Sequence, residues 1–129
     1  MGPASDQQHE MYEAVMEARG AALDSIRPGV LAAEVDRAAR DTLEARGFGG
    51  AFKHSTGHGV GFAAIDANAR PRISADSTER LEWGMVFNVE PAIYLDGAGG
   101  LRHCDMVAVT ETGVEVLTDF QARVEELVR

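Results

Sequence analysis

Two histidines four residues apart, His54 and His58, sit among three glycines in "HSTGHGVG", residues 54–61. A neutral imidazole serves as a metal ligand and as an acid or base. The glycines argue against a helix. On a strand, a four-residue spacing puts both side chains on one face. Glycine beside a histidine lets a backbone, a ligand or a metal approach closely. The competing reading is two loop histidines beside a glycine turn. Glu90, in "FNVEP", follows strand-forming residues and directly precedes Pro91. Val86 and Asn88 share its face of a strand; Phe87 and Val89 take the other. A carboxylate there is costly to bury unless it is paired or metal-bound, and the alternative is an exposed strand end. "RHCD", residues 102–105, offers a guanidinium, an imidazole, a thiol and a carboxylate. Alternation puts Arg102 and Cys104 on one face, and His103 and Asp105 on the other. Cys104 as a thiolate is a zinc ligand; as a neutral thiol it is a small buried apolar residue.

Helices and strands must bring these groups together. In residues 7–26, Met11, Val15, Ala18, Ala22 and Ile26 recur at three- and four-residue steps and predict a helix, capped by Ser5 or Asp6. "RPG" at 27–29 ends it. A second helix is expected from Ala32 to Arg46, with Val35, Ala38, Ala39 and Leu43 inward and Gly47 as its C-terminal stop. The two form a hairpin. The glycine-rich stretch after Gly47 reads as irregular chain leading into a strand, and residues 67–84 read as a polar loop. "MVFNVEP" is a strand ended by proline. "AIYLDGAGG" is a short strand and a turn, "LRHCDMVAVT" a second long strand, and "VEVLT" its hairpin partner across "ETG". Phe120, Val124 and Leu127 predict a short C-terminal helix within 119–129. Two helices followed by antiparallel strands make an α+β domain.

The chain has 129 residues, 45% apolar and 26% charged, as expected of one globular domain. Its 21 acidic and 12 basic residues give a net charge of −9, which repels phosphate backbones and disfavours nucleic acid as a partner. No apolar run is long enough for a membrane span, and no secretory leader is evident. The lone cysteine, Cys104, fits a reducing compartment, so the cytoplasm is the expected location. "MGPAS" has the look of an appended tag. Residues 1–6 are set aside as a disordered or appended N-terminus.

Together these stretches resemble the pita-bread family, which includes methionine aminopeptidase, aminopeptidase P, prolidase and the metal-independent creatinase. The matching runs are "HSTGHGVG", "LEWGMVFNVEPAIY" and "GGLRHCDMVAVTETGVEVLT", with "RPGV" and "EVDRAAR" in the helical hairpin. The prolidase and aminopeptidase P branch is most similar. The resemblance implies that residues 7–129 form the second, C-terminal half of a pita-bread catalytic domain: a helical hairpin packed on a curved antiparallel sheet. The family's two-metal site uses two aspartates from the first half, then a histidine and two glutamates from the second. By that resemblance His58 is the histidine and Glu90 the first glutamate, while Cys104 stands where the second glutamate is usual. His54 matches a substrate-binding histidine, and Arg102 would orient a carboxylate. A further active-site histidine would fall near Ile65, where there is none.

A two-metal hydrolase holds its ions about 3.5–4 Å apart across a shared nucleophile. His58, Glu90 and Cys104 would at best make a mononuclear site, with zinc favoured by the thiol over manganese or cobalt, or no site at all. The expected function is therefore an Xaa-Pro aminopeptidase or prolidase-like metallohydrolase fragment, inactive alone because the two aspartates are absent. Its catalytic groups would be His54, Glu90 and Arg102, acting on a peptide or small molecule in the full-length context. One alternative is a metal-independent, creatinase-like hydrolase, in which Glu90 holds a cationic substrate group. Another is a non-enzymatic binding module that pairs as a homodimer, or with a missing N-terminal half, to cover the half-interface.

Overall fold

A computed structural model describes residues 3–61 and 69–118. Helix α1 runs Asp6–Ser25 and helix α2 runs Ala32–Ala45. Ser5 caps α1 reciprocally: its hydroxyl accepts from the Gln8 N–H at 3.3 Å, and the Gln8 side-chain oxygen accepts from the Ser5 N–H at 2.9 Å. Asp6, set aside with the leader on sequence grounds, is thus the first helical residue. Helix α2 starts at Leu31, which has no side-chain oxygen to offer. Glu34 reaches back to the Leu31 N–H at 3.3 Å and closes only half of such a cap. Gly47 follows α2 with φ of 82°, the left-handed turn its position predicted.

A one-turn 3-10 segment, Gly49–Ala51, leads into the short strand β1, Gly57–His58. Then come β2 (Arg72–Ile73), β3 (Val86–Val89), β4 (Ala92–Leu95), β5 (Gly99–Arg102), β6 (Asp105–Val109) and β7 (Val114–Val116). Every pairing is antiparallel: β1 with β2, β3 with β6, β6 with β7, and β4 with β5. Two details differ from expectation. The polar loop at 67–84 contains β2, which pairs with the histidine strand. The long strand read in "LRHCDMVAVT" is two strands, β5 and β6, in different sheets. The reason lies across the ladder. Pro91 has no N–H to give; beside it the two arms keep the bond from the His103 N–H to the Pro91 carbonyl, at 3.3 Å. Among the described residues β4–β5 thus stands apart from β3–β6–β7, and β1–β2 forms a further small sheet. Register runs on through the gap: Val89 faces Asp105 and Ala92 faces Arg102, so Glu90 stands opposite Cys104. The expected C-terminal helix lies outside the described residues.

Helix α1 buries Met11, Ala14, Val15, Ala18 and Ala22; α2 buries Ala32, Val35, Ala39 and Leu43. Alanine on both stripes lets the hairpin sit close to the sheets. Beneath it lie Phe87, Val89, Val107 and Val109, with Ile73, Ala92 and Ile93 completing the core. The inward positions of β3 and β6 alternate as the sequence pattern requires. The opposite face, bearing Asn88, Glu90 and Cys104, is free of the helices.

Buried charge joins helix α1 to strand β6. Asp105, fully buried on β6, pairs with Arg19 of α1, accepts from the Thr118 hydroxyl at 2.7 Å, and has His103 Nε2 at 3.3 Å. Burial works to raise its pKa, but hydrogen bonds from Arg19 and Thr118, with the charges of Arg19 and His103, outweigh it and leave the carboxyl below its ordinary value. A depressed carboxyl contributes stability above the unfolded pKa, about 3.9, and loses it as pH falls through the folded value. Urea unfolding should therefore show wild type weakening below about pH 4, and Asp105→Asn should be weaker at pH 7 with a flatter acid limb. An unchanged acid limb in the variant would show that other carboxylates carry the dependence.

Candidate active site

Three segments meet at the gap in the ladder. The histidine strand is held on both edges. Gly57 and His58 pair with Ile73 and Arg72 on one side. On the other, Gly59 bridges to Phe87, Val60 N–H donates to Val86 O at 3.2 Å, and Glu90 N–H donates to Thr56 O at 2.7 Å. The glycines are required by this crowding. A Cβ on Gly57 would lie 1.8 Å from the Asn88 carbonyl oxygen, and one on Gly59 2.1 Å from that of Arg70.

Helix α2 fixes the start of the segment. Asp36, fully buried, accepts from Thr56 N–H at 3.0 Å and Thr56 Oγ1 at 2.8 Å. It also accepts from Arg40 Nε at 2.6 Å. Arg40 then donates to the carbonyls of His54, at 2.6 Å, and Phe52, at 3.2 Å, and lies over the Phe52 ring. Neither Asp36 nor Arg40 was singled out as a site residue. The available signal was an aspartate and an arginine at i,i+4 beside the inward residues of α2, where an acid needs a partner.

His58 and Glu90 converge. His58 Nε2 lies 3.8 Å from Glu90 Oε1, and Arg102 Nη1 lies 3.6 Å from Glu90 Oε2. The Glu90 side chain is 12% exposed, so its charge is shielded from water, while Arg102 is half-exposed. His58 Nδ1 faces the Gly59 carbonyl at 3.0 Å. A carbonyl only accepts, so Nδ1 carries the hydrogen, and in the neutral ring Nε2 is left as an acceptor. A backbone carbonyl on the far nitrogen is the usual support of a metal-binding imidazole. The donor chemistry therefore suits one side of a divalent cation. Among the described residues, no group of three His, Cys, Asp or Glu stands ready to hold a metal.

Cys104 is exposed, so it is not the small buried residue of the apolar reading. Partial desolvation of its thiol raises its pKa, and the charge of Glu90 adds to this; Arg102 and a hydrogen bond with Asn88 act the other way. The free thiol is the ground state. His54 keeps separate company. Its Nδ1 donates to Ser55 O at 2.8 Å, and Nε2 accepts from the Tyr94 hydroxyl at 2.9 Å, with Phe52 edge-on to the ring. Both nitrogens are engaged, so a substrate group would meet His54 together with Tyr94. Ile65 lies outside the described residues.

A carboxylate and an oriented imidazole meet at a strand gap backed by a helical hairpin, in the α+β arrangement of a pita-bread fold. Comparison with known proteins agrees. Residues 1–111 match the profile of "Metallopeptidase family M24", and the chain belongs to that family. It is 41% identical over 118 residues to the Xaa-Pro dipeptidase of Pyrococcus furiosus, covering 92% of this chain and 33% of that protein. It is 40% identical, with the same coverage, to the uncharacterized peptidase YqhT of Bacillus subtilis. The prolidase of Pyrococcus horikoshii OT3 superposes with a TM-score of 0.89 at 37% identity, over 96% of this chain and 35% of that one. The chain thus spans about a third of the relatives it matches and corresponds to part of the catalytic domain. Among the described residues, no helix is long and apolar enough to cross a membrane.

Proposed function

We propose that this chain is the C-terminal half of an Xaa-Pro dipeptidase-type catalytic domain and that hydrolysis requires the other half. One observation carries the reading: His58 Nε2, an acceptor in the neutral ring, lies 3.8 Å from Glu90 Oε1, in a chain of family M24. His58 and Glu90 would hold a divalent cation, which would polarise a carbonyl and activate water. Cys104 adds a soft donor on the same side, so zinc is the favoured ion. His54 and Tyr94 offer a polar pair to the substrate carbonyl, and Arg102 holds Glu90 in place or meets a substrate carboxylate. Alone, the chain would have no peptidase activity, because among the described residues too few ligands converge to bridge two ions. Its peptide substrate and its partner, the N-terminal half or a second copy, belong to the full-length context, in the cytoplasm.

The close approach of Arg102 to Glu90 favours a second reading. The guanidinium can neutralise Glu90 with no metal present, as a creatinase-like, metal-independent site would need. Calorimetric titration of the metal-stripped chain with zinc, then manganese, separates the two. Zinc binding that disappears in His58→Ala is the expected result. Zinc uptake that His58→Ala leaves intact, or none at all, would remove the metal reading.

A further inference from the structure

Asn88 lies at the centre of the site and has no role in the reading above. Its side-chain oxygen accepts from the His58 backbone N–H at 2.8 Å. That bond fixes the amide orientation, so the Nδ2 donors point the other way. One of them reaches His58 Nε2 at 3.2 Å. The Gly59 carbonyl has already placed the ring hydrogen on Nδ1. Nε2 is therefore an acceptor, and its single lone pair is occupied by the Asn88 amide. This is the lone pair that any electrophile or metal ion must use.

We infer that Asn88 is a cap on His58: its amide occupies the imidazole lone pair and must swing aside before Nε2 can take a divalent cation, so Asn88 sets the metal affinity of the site. The part concerning metal rests on the proposed function; the cap itself does not. Displacing it forfeits the hydrogen bond to His58 Nε2. The strand position explains the arrangement. Asn88 is two residues before Glu90 on β3, on the same face, and directly beside the histidine strand.

Two measurements test this on the intact chain. The first is carbethoxylation of His58 by diethyl pyrocarbonate, which attacks the free imidazole lone pair, read by peptide mass. The second is zinc titration by calorimetry. Both compare wild type, Asn88→Ala, Asn88→Ser and the His58→Ala/Asn88→Ala double variant. Asn88→Ser leaves a hydroxyl for the His58 N–H and guards against misfolding, which circular dichroism would reveal. Labelling of His58 should quicken in both single variants, and zinc should bind about three- to tenfold more tightly, the worth of one hydrogen bond. The double variant should lose the gain. Labelling at the wild-type rate in folded variants would overturn the inference. Faster labelling with no zinc binding in any protein would uphold the cap and count against the metal reading instead.

Discussion

Replacing Asp36 with alanine should cost about 3–5 kcal/mol, the range for breaking a buried ion pair by removing one partner. The carboxylate is fully buried and receives four hydrogen bonds, two from Thr56 and two from Arg40. Without it the Thr56 N–H and hydroxyl are stranded in the core. Arg40 is left without its anion while still bonded to the carbonyls of Phe52 and His54. The loss should spread along the chain, because Thr56 also accepts from the Glu90 N–H. Urea denaturation should show the fall in stability, and amide exchange should show the Glu90 N–H opening with it. Asp36→Asn keeps one acceptor for Thr56 and should lose less. Equal stability of Asp36→Ala and wild type would mean that the helix does not hold the histidine segment.

Gly57→Ala should be nearly as damaging, at about 3 kcal/mol, the upper part of the usual range for overpacking. The added carbon would meet backbone, not a movable side chain, since the Asn88 carbonyl oxygen would lie 1.8 Å away. Relief requires parting β1 from β3, which moves His58 away from Glu90 and breaks the His58 N–H bond to Asn88. Thermal melting and the rate of His58 labelling should change together. By contrast, Gly20→Ala, where a new Cβ meets nothing within 4 Å, should be neutral or mildly stabilising. If Gly57→Ala melts like wild type, the tight approach is not a constraint of the fold.

Much of the architecture was legible from local signals. Apolar spacing located both helices to within a residue or so at each end, because each buries one stripe against the sheets. Gly47 marked the end of α2 by its need for positive φ. Alternation put Phe87 and Val89 on the core side and Asn88 and Glu90 on the other, and it separated Cys104 from Asp105. What alternation could not show was the interruption beside Pro91, because residues 99–110 have strand-forming character on both sides of it. Strand β2 was hidden for the opposite reason: two residues with Arg72 and a nearby proline carry no period.

The site was half legible. Histidine, glutamate and arginine were visible as chemistry, and it was the family resemblance that gathered His58, Glu90 and Arg102 into one site. Their supports were not visible, since Asp36, Thr56 and Tyr94 reach the site through contacts distant in sequence. Asn88 was seen only as a neighbour on the face of Glu90. Its hold on His58 depends on where the histidine strand is laid down, and sequence spacing does not report that.

The gap between the two ladders has an evolutionary consequence. Glu90 and Cys104 face each other where cross-strand bonding is thinned beside Pro91, so their side chains can be exchanged with little disturbance to the sheets. A cysteine where the family resemblance implies a carboxylate would then be a change of tooling on an unaltered bench. The helices and flanking strands carry the cost of folding, and the interval between them is left open for chemistry to vary.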